Sequence, residues 1–333
     1  MPASEKRFGC LGVFIVVLLC LSLLFNLVLL VGEFFGIGSG GTRNFRETVY
    51  SEGAPGVKSK IAVIRLGGLI SSGDMGFSIG VSPEDMRQQF KQALEDKDVR
   101  AIVLAIDSPG GEVTASDDIY NIIRKAREKK KVVVSMGAMA ASGGYYAALG
   151  SSYIMAHDTT FTGSIGVIMQ TLNYADLFGK VGLEMVTFKS GKMKDMLSGS
   201  RPMTPEEREY VQALVMQTYG KFVGIVAAER KIPEDTLRNG VADGRVLSGK
   251  DALDAKLIDQ LGDFDDAVKK AMELGGAPGA IVVEYRAIES LSRYLRIFGK
   301  ADSSKKVEIN LGPQSSLHLQ PGRLYLLPEI LAP

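Results

Sequence analysis

Tryptophan is absent from this 333-residue chain, and histidine and cysteine occur only twice each. His157 and His318, with Cys10 and Cys20, are too few to assemble a zinc ligand set. No histidine lies where a Ser-His-Asp triad would need one. His157 reads instead as the residue ending an apolar strand. A dominant charge is missing too: 39 Lys and Arg against 38 Asp and Glu leave a net of +1. With no basic block, nucleic acid is excluded as the main partner. Nucleotide binding fails on one residue. Gly244 to Lys250 begins like a P-loop, but Asp251 stands where Ser or Thr must hold magnesium, and no strong strand precedes it. No internal repeat is present, and no cofactor is expected.

Charge is also absent between Phe8 and Gly32. At ~1.5 Å per residue that run exceeds the ~30 Å hydrocarbon core, so it is expected to span a bilayer. Lys6 and Arg7 at its start predict a cytoplasmic N-terminus and a main domain on the far side. A cleaved signal peptide is the competing reading, with small residues near Gly36 to Gly38, but its apolar core would be only about 7–15 residues long. Both cysteines sit in or beside this run. Bulky Leu19 before Cys20 argues against lipidation.

Residues 36–58 are rich in Gly, Ser and polar side chains and read as a flexible tether. A globular pattern follows. Ile61 to Leu66 and the apolar run Ala101 to Ile106 have the composition of strands, the second covered on both faces. A tight turn is expected at 107–111. Lys131 to Met136 is a third strand. Ser82-Pro83-Glu84-Asp85 signals a helix start running to about Glu95, and Thr204-Pro205-Glu206-Glu207 another running to about Arg230. Shorter helices are expected at 249–258 and 263–272. An amphipathic stretch near 290–298 and an apolar end from Leu324 to Leu331 close the chain. Strands alternating with helices at this spacing predict an α/β domain with a largely parallel sheet flanked by helices.

Two segments carry chemistry. Ser142 lies among Ala140, Ala141, Gly143 and Gly144, where a strand should turn into a helix. Small neighbours admit a substrate backbone, and the Gly143 amide would face the oxyanion of a tetrahedral intermediate. The Gly110-Gly111 pair is the natural second donor. An ordinary N-cap serine would look the same locally. Lys194 follows a glycine turn among Met193, Met196 and Leu197, surroundings apolar enough to favour a neutral amine. Lys189 and Lys192 are rivals on the same segment. Ser164, in Thr162-Gly163-Ser164, adds a third hydroxyl.

Four motifs in this order, DSPGG at 107–111, MAASGGYY at 139–146, TGSIGV at 162–167 and SGKMKD at 190–195, resemble the signal peptide peptidase A (protease IV) family of membrane serine peptidases. Asp243 to Gly262 resembles that family's ending. The resemblance covers roughly residues 58–275 and implies a Clp/crotonase-like fold. It implies Ser142 as nucleophile, Lys194 as general base, Ser164 as the hydroxyl orienting the lysine, and Gly143 and Gly111 as the oxyanion donors. The Clp type has a histidine base about where this chain has Ser164 to Val167. One departure is Met193, where relatives often carry a polar residue or histidine. The resemblance further implies peptide substrates, remnant signal peptides and similar apolar segments, and homo-oligomers.

The expected organisation is an anchor at 1–35, contacting lipid through residues 8–32, a tether at 36–58, a Ser-Lys peptidase domain at 59–275 and a C-terminal extension at 276–333. In some relatives the tail reaches into an active site, and the apolar end here is suited to that. Two other functions compete. A crotonase-like acyl-CoA enzyme is disfavoured by the anchor, and a non-catalytic membrane scaffold by the intact Ser142, Ser164 and Lys194.

Overall fold

The computed structural model describes residues 10–34, 45–72, 80–287 and 325–326. They fall into two units, an N-terminal helix and a body that starts at Phe45. The helix, α1 (Cys10–Phe34), is 25 residues long. Among the residues whose side chains are described, no helix is long and apolar enough to cross a membrane. Lys6, Arg7 and the amphipathic stretch at 290–298 lie outside the described residues.

The body is an α/β unit built on one sheet. Its described strands and helices run β1 (Phe45–Ser51), β2 (Lys60–Ile70), β3 (Gly80–Val81), α2 (Pro83–Glu95), β4 (Val99–Glu112), α3 (Val113–Arg127), β5 (Lys131–Ala141) and α4 (Gly143–Ala148). Then come β6 (Tyr153–Ala156), β7 (Phe161–Gly163), α5 (Ala175–Lys180), α6 (Pro205–Arg230), α7 (Glu234–Arg238), β8 (Val246–Ser248), α8 (Gly249–Asp254), β9 (Gln260–Leu261), α9 (Phe264–Gly275), β10 (Ile281–Ala287) and β11 (Tyr325–Leu326). The sheet order is β1-β10-β2-β4-β5-β6-β9. From β10 to β9 all neighbours are parallel, while β1 joins β10 antiparallel at the edge.

The apolar strands are apolar because both faces are covered. Side chains alternate across a strand. Ile61, Val63, Ala101, Val103 and Val133 therefore meet Ala267, Val268 and Ala271 of α9. Their neighbours Ala62, Ile64, Ile102, Leu104 and Val134 meet Met86 and Phe90 of α2 and Ile119 and Ile123 of α3. Burying each large aliphatic side chain contributes roughly 1.5–3 kcal/mol.

The helix starts fall where the sequence signals them. Ser82 Oγ accepts from the Asp85 amide at 3.1 Å. Thr204 and Glu207 form a reciprocal capping box on α6.

Several expectations need correcting. Residues 107–111 are not a turn: β4 continues through them, because Gly110 and Gly111 pair with Leu69 and Ile70 of β2. The segment expected as a tether contains β1, and the expected C-terminal extension contains β10, its partner. β1 reads FRETVYS, too polar for the strand pattern, because an edge strand need not bury both faces. The helix expected over 249–258 stops at Asp254, and Lys256 takes a left-handed φ of 59°.

Candidate active site

The site lies at the C-terminal ends of β4, β5 and β7, the usual position in a parallel α/β sheet. A cleft of about 520 Å³ lined by Lys97, Arg100, Lys129 and Lys131 lies at the opposite strand ends and takes no part in it.

Ser142 stands between β5 and α4 with φ 52° and ψ −112°. A non-glycine residue held there costs of order 1–3 kcal/mol, so the surroundings must impose it. They do so from both sides of its backbone. The Ser142 amide donates to Gly163 O at 2.8 Å, and its carbonyl accepts from the Tyr146 amide at 2.8 Å. The residue is fully buried. Its Oγ has no hydrogen-bond partner among the described residues. An unsatisfied buried hydroxyl costs about 1–3 kcal/mol. Strain and an unused hydroxyl therefore coincide at one residue.

The glycines of the two motifs clasp each other. A Cβ on Gly143 would come within 2.5 Å of Ser116 Oγ and 3.0 Å of the Gly111 nitrogen. A Cβ on Gly110, at φ 103°, would lie 2.5 Å from the Gly143 nitrogen. The Gly143 and Gly111 amides therefore share one small space. The Gly110 amide is already engaged, donating to Ser108 Oγ at 3.1 Å, and that hydroxyl donates to Gly68 O at 2.6 Å. The sequence places Ser108 in a motif without giving it this contact, and it does not mark Ser116. Hydroxyls that brace a glycine segment carry no pattern of their own.

Ser164 is brought to the same place by register. β5 and β7 run parallel, with Ala141 opposite Gly163, so Ser142 and Ser164 are the next residues on paired strands. Ser164 also has positive φ, 49°. Its amide donates to Arg245 O at 2.8 Å, and it is almost fully buried. The Asp243 carboxylate, held by the Arg245 guanidinium, sits low at about 2. The former P-loop candidate is thus a strand, β8, supporting β7.

The chain's own C-terminal strand lies on this rim. β11 pairs antiparallel with β4, Leu326 opposite Gly111 and Tyr325 opposite Glu112. Leu326 is fully buried, and its carbonyl oxygen occupies the space that a Cβ on Gly110 would need.

Lys194 makes no hydrogen bond to Ser142 within one chain. It is exposed, in a turn over 190–199, and its side chain has no hydrogen bond or ion pair among the described residues. Its two rivals are engaged: Lys189 Nζ lies 2.7 Å from Asp195 and Lys192 Nζ 2.7 Å from Glu206. The same segment exposes Leu172, Val181, Leu183, Met185, Val186 and Phe188, the last at 95%. Clustered apolar exposure of this kind marks an interaction surface.

The sequence profile of Peptidase family S49 matches residues 124–277. A candidate protease of Synechocystis sp. is 39% identical over 78% of this chain and 90% of its own length. A candidate signal peptide peptidase SppA of Enterococcus faecium is 35% identical over 74% of this chain and 72% of its own length. Protease 4 of Salmonella typhi is 38% identical over 64% of this chain, which spans only 34% of that longer protein. Among solved structures, a mutant ClpP1 from Listeria monocytogenes matches at a TM-score of 0.42 and 16% identity, over 62% of this chain and 94% of that one.

Proposed function

The chain belongs to peptidase family S49 and is a serine peptidase; on that premise we propose that Ser142 is its nucleophile and Lys194 its general base, the two supplied by adjacent copies. The observation that carries this reading is the strained, buried and partnerless Ser142 hydroxyl at the clasp of Gly143 and Gly111.

The chemistry is acyl transfer. Ser142 Oγ attacks the scissile carbonyl while the neutral Lys194 amine takes its proton. The oxyanion is met by the Gly143 and Gly111 amides, Gly110 being committed to Ser108. The Ser164 hydroxyl orients the amine. The lysine then protonates the leaving amine, and water attacks the acyl-enzyme through the same base to release the second product. A lysine amine sheds its proton readily only when burial disfavours the ammonium. An exposed turn cannot provide that, but a neighbouring copy covering the apolar segment 172–188 would. Lys189 and Lys192, tied to carboxylates, are poorer candidates.

Peptide recognition is read from β11. An extended segment added antiparallel to β4 is how a substrate would be held by backbone hydrogen bonds, and buried Leu326 argues for apolar side chains. Remnant signal peptides and similar apolar segments fit that groove. The anchor belongs to the same proposal: the uncharged run at 8–32 and helix α1 would hold the body at the outer membrane surface, with the N-terminus in the cytoplasm.

The test mixes two inactive full-length variants, Ser142→Ala and Lys194→Ala, before assembly in detergent and assays a synthetic signal peptide. If neighbours share sites, random mixing returns up to about a quarter of wild-type activity. A mixture as dead as its components, with assembly intact, would place both residues in one chain. An active Lys194→Ala would remove Lys194 as base.

A further inference from the structure

We propose that Arg201 is a positioning residue for the lysine loop, clamping Asp195 to the first turn of α6 so that Lys194 is aimed and left without a counter-ion. The inference rests on the reading of Lys194 as general base. The turn that carries Lys194 has no strand or helix of its own. What fixes it is the residue immediately after the lysine. The Asp195 carboxylate accepts from Arg201 Nη2 at 2.7 Å and Nε at 3.0 Å, a two-pronged contact, and from Lys189 Nζ at 2.7 Å.

The same guanidinium reaches Glu207, with Nη1 to Oε2 at 2.9 Å. Glu207 is nearly buried and belongs to the α6 capping box, where it accepts from the Thr204 amide at 2.8 Å. Arg201 therefore connects a turn to the rigid start of a 26-residue helix. Planar bidentate pairing fixes direction as well as distance, which a lysine in its place would not do.

The clamp has a second consequence. Asp195 is the carboxylate next to Lys194 in sequence, and a free carboxylate there would stabilise the ammonium and oppose a base. Its charge is instead shared between Arg201 and Lys189, which hold it well below the usual carboxylate range. Glu207 is lowered to about 2, chiefly by Arg201. Glu206 is paired with Lys192. Asp195, Glu206 and Glu207 are thus occupied by cations other than Lys194, which leaves its amine for the Ser142 hydroxyl.

The experiment uses the full chain with Arg201→Ala, Arg201→Lys, Asp195→Asn and the double variant, each checked for assembly size and melting temperature. Arg201→Ala should lower kcat by roughly 100-fold, the cost of a misplaced catalytic group, with KM little changed. The acid limb of its pH–rate profile should rise by about one unit, as a released carboxylate predicts. In the Asp195→Asn/Arg201→Ala double variant that limb should return towards wild type while kcat stays low. Arg201→Lys should recover only part of kcat.

Mixing locates the effect. Arg201→Ala should abolish complementation when placed on the Ser142→Ala chain, which supplies the lysine, and be harmless on the Lys194→Ala chain. If Lys194→Ala is inactive but Arg201→Ala keeps wild-type kcat and pH profile, the clamp is wrong and the dyad stands. If Lys194→Ala is itself active, the underlying reading fails first. Should Arg201→Ala not assemble, an unchanged acid limb in Arg201→Lys would overturn the proposal.

Discussion

The neighbourhoods of Ser142 and Lys194 are built in opposite ways. Around Ser142, three parallel strands, two clasped glycine segments and backbone hydrogen bonds on both sides force one buried conformation. Around Lys194, a turn on the surface is held chiefly by charges, through Asp195, Arg201 and Glu207. Ser142 tolerates strain because a sheet over-determines it. Lys194 sits in a part of the chain whose apolar side chains, Phe188 foremost, face solvent. On the proposed reading, folding alone finishes the Ser142 half of the site, and a second copy would complete the other.

The sharpest way to break that contrast is to delete each working group. Ser142→Ala and Lys194→Ala should each lower kcat roughly 10,000-fold or more, with melting temperature unchanged or raised for Ser142→Ala as an orphan buried hydroxyl is removed. A lysine variant with near-normal turnover of a signal peptide would erase the comparison.

On the nucleophile side, Gly143→Ala should cost about 100- to 1000-fold in kcat by pushing the oxyanion amides apart, and it should also destabilise the body. Single-turnover acylation of the purified chain separates the two effects. Any substitution at Lys194 should leave stability untouched.

On the base side, Phe188→Asp should cut activity roughly 10-fold or more and make it rise with protein concentration, because the exposed patch would no longer pack against its partner. Sedimentation velocity beside the activity assay reads this directly. Equal loss at all concentrations, with assembly intact, would assign Phe188 to substrate rather than to a second copy.

Removing residues 324–333 should raise kcat/KM several-fold, since β11 occupies the β4 edge that an incoming peptide needs. An unchanged value for the truncated chain would mean that the tail leaves that edge freely.

The smallest effect concerns acid. Glu207 is lowered from 4.5 to about 2, so its contribution to stability is present above 4.5 and lost as pH falls towards 2. Thermal melts of Glu207→Gln should therefore lack part of the wild-type dependence across that window. A wild-type melting curve flat between those values would remove the clamp's electrostatic role.

Much of this was readable in advance. The apolar runs at 61–66, 101–106 and 131–136 are strands, and the starts of α2 and α6 fall on their capping residues. The motifs also mark Ser142, Gly143, Gly111 and Ser164 by residue type and order. Other features were not legible. β1 is too polar to look like a strand, and β10 falls in a stretch for which the sequence predicts no element. The extension of β4 through Gly110 and Gly111 depends on β2 and β11 pairing with it. Asp195 sits inside a motif, yet its role needed Arg201, which no spacing rule connects to it.

Local chemistry is written residue by residue, so the sequence by itself determined which groups are available: a serine among glycines, a lysine after a turn, no histidine to serve as base and no cofactor motif. Where those groups meet depends on contacts between residues far apart in the chain. Only the tertiary structure decided that Gly111 packs on Gly143, that Ser142 and Ser164 follow paired strands, and that Lys194 lies on an exposed turn. Strand register fixes the first four through backbone hydrogen bonds, and no such bond ties a surface turn to the sheet.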